Sequence, residues 1–178
     1  EVVNADSMLV YRGMDIGTGK DLCDYVRGGK QIPYRLIDIA DPQEIYTLYR
    51  YLHDFNLAFS ETLASGKLPV VVGGTGLYVE ASIKQYDVPQ APEDEELRER
   101  LMAEEKEDLD RKLMSLSPEL HARTDLSSKK RIVRAIEVAV SDGSVRDLPE
   151  RAPLREPIRP LVLGVAPPRA VVLERIDR

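Results

Sequence analysis

An aspartate and a serine, Asp6 and Ser7, follow a short apolar segment at the start of the chain. That segment, EVVNAD, has the pattern of a strand, and parallel strands in α/β domains present functional groups at their carboxyl ends. An aspartate at a strand end can accept a hydrogen bond or a proton from an amine. A helix-capping aspartate, or one near a magnesium ion, would occupy the same place. The pair alone leaves these interpretations open.

A glycine turn in residues 70–78 (VVVGGTGLY) joins an apolar strand candidate to a helix candidate. Because Gly73 and Gly74 have no side chains, a ligand can approach the backbone there. The free amides at the start of the next helix favour an anion. A plain tight turn is the alternative interpretation, so the segment by itself is only moderately specific.

Two groups of basic residues come later in the sequence. One cluster on a helix candidate could hold RNA phosphates or could be a solvated helix face, and it consists of Lys129, Lys130, Arg131 and Arg134. The second group, Arg169 and Arg175, flanks an apolar helix start. Six residues turn a helix through about 240°. These two arginines therefore meet at one ligand only if Arg169 extends from the loop before the helix.

The segment GMDIGTGK, residues 13–20, looks like a phosphate-binding loop but departs from that motif. The motif G-x-x-x-x-G-K-[ST] needs glycine where this chain has Met14, and Ser or Thr where it has Asp21. No helix pattern follows it. Thr18 and Lys20 stay supporting candidates, because they offer a hydroxyl and a cation to a nearby site.

Alternating strands and helices are predicted to position these groups. Strand candidates lie at residues 1–6, 34–39, 68–72 and 161–165. Apolar residues spaced by three and four predict a helix over residues 46–65, ended by Gly66. Further helices are expected after Ser127-Ser128 as caps, with a stop at Gly143, and at the chain end with Pro168 in the first turn. The wholly apolar strands predict a parallel sheet covered on both faces.

The composition changes near Tyr86, where a proline-bearing acidic link begins a charged stretch with a thin apolar stripe. We expect an α/β core in residues 1–85 and 151–178, with a helical insertion in residues 86–150. Both ends of the sequence look cut, as in part of a longer protein.

Composition bounds the class of protein. The 178 residues, 43% hydrophobic and 31% charged, fit one globular domain with a modest insertion. The net charge of −6 does not exclude a local basic patch. One cysteine, Cys23, and no leader pattern favour the cytoplasm, and no apolar run reaches the roughly 20 residues of a membrane span. Neither His53 nor His121 has a second ligand at zinc spacing, so no protein-held metal site is predicted.

Taken in order, five segments resemble the successive motifs of tRNA dimethylallyltransferases, also called tRNA isopentenyltransferases: NADSMLVYRGMDIGTGK, YRLIDIADP, LPVVVGGTGLY, KRIVRAIEV and APPRAVVLERIDR. The resemblance implies a P-loop-NTPase-like parallel-sheet core with a helical insertion that grips the tRNA anticodon stem-loop. It implies transfer of a dimethylallyl group from dimethylallyl diphosphate to N6 of the adenosine 3′ of the anticodon, with Mg²⁺ as cofactor. A monomer is expected.

The resemblance also assigns roles. Asp6 matches the general base, and Arg169 and Arg175, with Gly73 and Gly74, match diphosphate-binding positions. Positions matching tRNA contacts are Asp6, Ser7, Met8, Leu9, Thr75, Lys130, Arg131 and Arg134. Two departures stand out: Leu9 replaces a frequent glutamine, and Ser-Ser-Lys at residues 127–129 replaces the usual Asn-Asp-Pro.

Two alternatives stay open. A related enzyme would prenylate AMP, ADP or ATP, although a basic helical segment favours tRNA. A noncatalytic RNA-binding remnant would have kept the fold and lost its phosphate loop. In the resembled family that loop precedes the position of Glu1, so the 178-residue chain is expected to be inactive on its own.

Overall fold

A computed structural model describes residues 1–88, 91, 93–141, 154 and 157–176. Within them, three short strands form a parallel sheet in the order β4-β1-β5: β1 (Val2–Asn4), β4 (Tyr34–Arg35) and β5 (Val70–Val72). Val2 of the central strand pairs with Tyr34 on one side and Val70 on the other. A separate antiparallel hairpin contains β2 (Val26–Arg27) and β3 (Lys30–Gln31), preceded by a 3-10 turn over Leu22–Tyr25.

The first long helix, α1 (Leu48–Ala64), matches the predicted helix over residues 46–65. Its N-cap hydroxyl, on Thr47, accepts a hydrogen bond from the Arg50 amide, and Gly66 follows the helix with φ +72°. One face of α1 is buried against the sheet and the next helix, α2 (Gly76–Lys84). The Tyr51 and Tyr78 rings stack at 3.8 Å. The strand, glycine turn and helix order predicted for residues 68–84 is therefore confirmed.

Four helices between residues 95 and 140 share a second apolar core: α3 (Glu95–Ala103), α4 (Lys106–Leu116), α5 (Pro118–Arg123) and α6 (Lys129–Val140). Buried residues of this core are Leu101, Leu109, Leu113, Ile132, Val133, Ala135 and Ile136. The core around the sheet is a separate cluster, which includes Val3, Tyr51 and Phe55. The predicted division into residues 1–85 with 151–178 and residues 86–150 stays a prediction, because most of the second boundary lies outside the described residues.

Two strand predictions are wrong: one strand is shorter than predicted, and the other does not form. The strand predicted over residues 34–39 ends at Arg35, because Leu36 and Asp38 adopt φ +64° and +56°, which no extended strand allows. Residues 161–165 form no strand and are exposed, since no described strand lies beside them to share hydrogen bonds.

The sheet is parallel as predicted, but the elements that the structure describes do not cover both of its faces. The three valines of β5 are 47%, 38% and 50% exposed. In the described part of the chain, β5 is an edge strand that pairs only with β1. Because β5 has one neighbouring strand and no described element packed over it, its valine side chains stay partly in water.

The predicted helix caps differ in detail. Ser128 is at the N-cap position of α6 but its side chain makes no capping bond, while the Ser127 hydroxyl donates to Asp125 at 2.6 Å. Gly143, the predicted stop of α6, lies outside the described residues. The last helix, α7 (Arg169–Ile176), begins one residue after Pro168, whose carbonyl accepts from the Val171 amide at 2.9 Å.

Candidate active site

Asp6 lies two residues beyond β1, at the carboxyl edge of the sheet, and its side chain is partly exposed. Its Oδ1 atom accepts a hydrogen bond from the Met8 amide at 2.9 Å. The other oxygen, Oδ2, accepts no hydrogen bond from any residue that the structure describes. The carboxylate is thus held by one oxygen and presents the other, which is what a hydrogen-bond acceptor for a substrate requires.

The glycine turn lies directly against this strand end. A Cβ atom on Gly73 would lie 2.2 Å from the carbonyl carbon and oxygen of Ala5, so only glycine fits there. A Cβ atom on Gly74 would lie 3.3 Å from Oδ2 of Asp6. Both glycines are exposed. The structure therefore brings open backbone at the start of α2 close to the Asp6 carboxylate.

A threonine hydroxyl joins the two strand ends. Thr75 Oγ1 accepts a hydrogen bond from the Ser7 amide at 2.9 Å and donates to the Ser7 hydroxyl at 3.1 Å. Thr75 is the N-cap residue of α2, yet its side chain serves Ser7 instead of the helix. Met8 is 46% exposed and Leu9 is half-buried. The predicted group from Asp6 to Leu9 is thereby assembled next to Thr75 and the two glycines.

Lys20, kept above as a supporting cation, is buried and hydrogen-bonded to three oxygen atoms. Its side chain is fully buried, and its ammonium donates to Asp38 at 2.5 Å, Asp15 at 3.1 Å and the Tyr11 carbonyl at 2.6 Å. Burial alone would lower the pKa of Lys20, but the hydrogen bonds to Asp38 and Asp15 outweigh burial and raise it. All three N–H donors of the ammonium are engaged, so Lys20 holds the loop of residues 13–20 to Tyr11 and Asp38.

Thr18 is engaged locally as well. Its hydroxyl donates to the Met14 carbonyl at 2.7 Å, one turn earlier in the same loop. Gly13, Gly17 and Gly19 all have positive φ, and no α-helix follows the segment. Residues 13–20 therefore form an irregular loop and not a phosphate-binding loop, as the departures from the motif predicted.

Two of the four basic residues in the cluster on α6 are paired with acidic groups, and Lys129 donates to the Met102 carbonyl at 2.8 Å. Lys130 is exposed and has no acidic partner among the described residues, whereas Arg131 forms an ion pair with Asp125. A shallow groove of about 390 Å³ lies beside it between α5 and α6. Three arginines line this groove with apolar neighbours, and they are Arg123, Arg131 and Arg134. Sequence patterns did not identify Arg123, because it lies on a different helix.

Arg134 also has a structural role. One guanidinium nitrogen donates to Glu137 at 2.5 Å and another to the Ala91 carbonyl at 2.8 Å. Glu137 is 2% exposed and also accepts from Arg98 and from the Asp94 amide. Burial alone would raise the pKa of Glu137, but the Arg134, Asp94 and Arg98 hydrogen bonds together lower it. This buried carboxylate fastens the start of α3 to α6.

The two diphosphate candidates on α7 do not satisfy the geometric condition set by the sequence. Arg169 is exposed and is the first residue of α7, not part of the preceding loop. Arg175 lies on the same helix, and nothing is described of its side chain. Arg169 and Arg175 are six positions apart in the sequence, which corresponds to about 240° around the helix axis.

Among the residues that the structure describes, no three His, Cys, Asp or Glu side chains come together as a metal site would require. None of the helices in the same ranges combines the length and apolar composition that crossing a bilayer demands.

Asn4 is the site residue that pattern analysis missed. Its buried carboxamide is hydrogen-bonded to both sides of the Asp6 backbone unit, through the Asp6 amide and the Asp6 carbonyl, each at 2.9 Å. The available signal was a polar residue at the end of an otherwise apolar strand, two positions before the candidate base.

Curated proteins of similar sequence are tRNA dimethylallyltransferases. A tRNA dimethylallyltransferase of Syntrophus aciditrophicus is 46% identical over 99% of this chain and 57% of its own length. One from Parabacteroides distasonis is 42% identical over 100% of this chain and 57% of its own length. The chain thus spans a little over half the length of these curated relatives.

A solved structure supports the fold. A eukaryotic dimethylallyltransferase, in crystallographic snapshots of its action on tRNA, aligns with a TM-score of 0.58 at 23% identity, over 75% of this chain and 33% of its own. This likeness agrees with the predicted P-loop-like α/β class. The sequence model of the family described as IPP transferase matches residues 9–178, nearly the whole chain. The chain therefore belongs to the IPP transferase family.

Proposed function

We propose that the protein transfers a dimethylallyl group from dimethylallyl diphosphate to N6 of the adenosine 3′ of the anticodon in tRNA. The observation that supports this most directly is the Asp6 carboxylate, which has one anchored and one open oxygen beside the exposed backbone of Gly73 and Gly74. Membership of the IPP transferase family supplies the reaction class.

The base role of Asp6 follows from the chemistry of adenine. The N6 lone pair is drawn into the ring, so the amine is a poor nucleophile. As N6 attacks C1 of the dimethylallyl group, the C1–O bond breaks and its electron pair leaves with diphosphate. The N6 proton then passes to the Asp6 carboxylate, which acts as general base.

Diphosphate carries growing negative charge as it leaves, and hydrogen-bond donors can stabilise that charge. The exposed backbone at Gly73 and Gly74, at the start of α2, is suited to this role. We retain Arg169 and Arg175 as proposed diphosphate ligands. Mg²⁺ would neutralise diphosphate charge, although no three His, Cys, Asp or Glu side chains among the described residues come together to hold it.

We propose that tRNA contacts two parts of the protein together: the residues after β1 with Thr75, and the helices α3 to α6. The strand-end contacts would come from Asp6, Ser7, Met8, Leu9 and Thr75, and those on α6 from Lys130, Arg131 and Arg134. Exposed Lys130 is the group most ready to meet a phosphate. Phosphate would have to replace Asp125 at Arg131 and would compete with Glu137 for Arg134.

Three further expectations belong to this proposal. The protein acts as a monomer and in the cytoplasm. Residues 1–178, which cover 57% of a relative's length, transfer no dimethylallyl group when purified alone. Product formation by that isolated chain would show the last expectation to be wrong.

The test uses the full-length protein with labelled dimethylallyl diphosphate and magnesium, and offers unmodified tRNA and AMP as separate acceptors. The proposal predicts label in tRNA and none in AMP. Label in AMP would instead assign the protein to the mononucleotide-prenylating class. Absence of label from both acceptors would leave an RNA-binding remnant as the better description.

A further inference from the structure

The side chain of Asn4 lies in the core at the end of β1, where it is 1% exposed. Its Nδ2 group donates to the Asp6 carbonyl and to the Leu36 carbonyl, each at 2.9 Å. Its Oδ1 atom accepts from the Asp6 amide at 2.9 Å. One buried carboxamide therefore satisfies the amide and carbonyl of Asp6 and ties both to a neighbouring chain segment.

Only a carboxamide of this size provides what the position needs. The surrounding backbone presents two acceptors and one donor, so the side chain must supply two N–H donors and one oxygen acceptor. Aspartate has nearly the same shape as asparagine but, when ionised, offers no donor to the two carbonyls. Asn4 therefore has a chemical role that a shape-matched residue does not fill.

Leu36, whose carbonyl accepts a hydrogen bond from Asn4, is itself held firmly. Leu36 has φ +64°, a conformation that is costly for a residue with a side chain and persists only where its surroundings impose it. Its side chain is 7% exposed in the sheet core. The Leu36 carbonyl is thus a fixed point against which Asn4 can set the Asp6 backbone.

We propose that Asn4 is a positioning residue for the transfer reaction, acting through Asp6 without touching substrate. The inference rests on the proposed function, in which Asp6 is the base. Leu36 holds Asn4, Asn4 holds the Asp6 backbone, and the Met8 amide then orients the Asp6 carboxylate. Displacement of that backbone would move the carboxylate away from N6 of the bound adenosine.

The test is a double-mutant cycle in the full-length protein, with single-turnover transfer to tRNA as the readout. Asn4→Asp should lower the transfer rate by roughly 10- to 100-fold, the effect of displacing a catalytic group by about 1 Å. The dimethylallyl diphosphate concentration that gives half of the maximal single-turnover rate should stay near the wild-type value. In an Asp6→Ala background, Asn4→Asp should change the rate by less than about twofold, because its effect needs the Asp6 carboxylate.

An equal loss from Asn4→Asp in both backgrounds would overturn the inference, because it would show a general structural effect. Wild-type protein that transfers nothing to tRNA would overturn the proposed function and this inference with it. The two failures are thus distinct. If Asn4→Asp does not fold, as judged by its melting temperature, Asn4→Ser replaces it in the cycle with the same criterion.

Discussion

The hydroxyl of Thr75 accepts a hydrogen bond from the Ser7 amide at 2.9 Å, which fixes the loop after β1 to the first residue before α2. The two residues are 68 positions apart in the sequence. Each belongs to a loop that leaves the carboxyl edge of the sheet. The contact sets the distance between the loop that bears Asp6 and the glycine turn.

Thr75→Val should loosen this edge, because valine keeps the shape of threonine but neither accepts from the Ser7 amide nor donates to the Ser7 hydroxyl. Loss of a partly buried hydrogen bond should lower the free energy of unfolding by about 1 kcal/mol. Urea unfolding of the full-length protein measures the change. Thr75→Ser keeps the hydroxyl and should lie closer to wild type; equal losses in both variants would contradict this role of the hydroxyl.

Gly73→Ala should disturb the strand end that carries Asp6. The new Cβ would lie 2.2 Å from the Ala5 carbonyl, a contact that only backbone movement can relieve. We expect a lower melting temperature and slower transfer to tRNA. Gly76→Ala is the matched control, because its Cβ meets nothing within 4 Å and alanine favours the first turn of α2. Wild-type behaviour of Gly73→Ala would contradict the close approach.

Lys20→Met should destabilise the protein without a specific loss of diphosphate binding. It leaves Asp38 and the Tyr11 carbonyl without their buried partner, and breaking such a pair costs about 3 kcal/mol, the low end for buried pairs because Asp38 is partly exposed. Chemical unfolding and the KM for dimethylallyl diphosphate give the two readouts. Lys84→Met, which removes only an exposed pair with Glu80, is the control and should leave stability unchanged. A large rise in KM with unchanged stability would instead support a ligand-binding Lys20.

Glu137 should make the stability of the helices α3 to α6 sensitive to acid. Its pKa is lowered in the folded state, so its stabilising contribution is present above the ordinary value of 4.5 and is lost as the pH falls through the lowered value. Glu137→Gln should therefore melt at a lower temperature at neutral pH and lose less stability than wild type on acidification. Thermal melts across that pH range test both effects.

The control for this prediction is Glu119→Gln, which removes an exposed carboxylate whose ion pair among the described residues is with Arg123. It should retain the wild-type dependence of melting temperature on pH. A Glu137→Gln curve parallel to that of wild type below pH 4.5 would show that Glu137 does not carry the acid sensitivity.

Local sequence patterns predicted the parts of the fold that depend on local periodicity. The apolar spacing of α1, and the valine strand followed by glycines and α2, are properties of consecutive residues. Asp6 was identifiable because strand order places the residue after β1 at a functional edge. These predictions needed no knowledge of distant contacts.

The remainder depends on partners far apart in sequence. Lys20 was a candidate supporting residue by its sequence position. In the folded protein its ammonium donates to Asp38, 18 residues away. The predicted strand ends before Leu36, which has a positive φ. The residue type does not predict this conformation, because tertiary contacts impose it. Asn4 could be recognised as a tether only once the Leu36 carbonyl was placed beside it.

The most direct test of the central claim compares wild type with Asp6→Asn in the full-length protein, using labelled dimethylallyl diphosphate and unmodified tRNA. Asparagine keeps the shape of the side chain and removes its basicity. We expect Asp6→Asn to bind tRNA and melt like wild type but to transfer the label at least about 100-fold more slowly. Transfer by Asp6→Asn at the wild-type rate would contradict the assignment of Asp6 as the base.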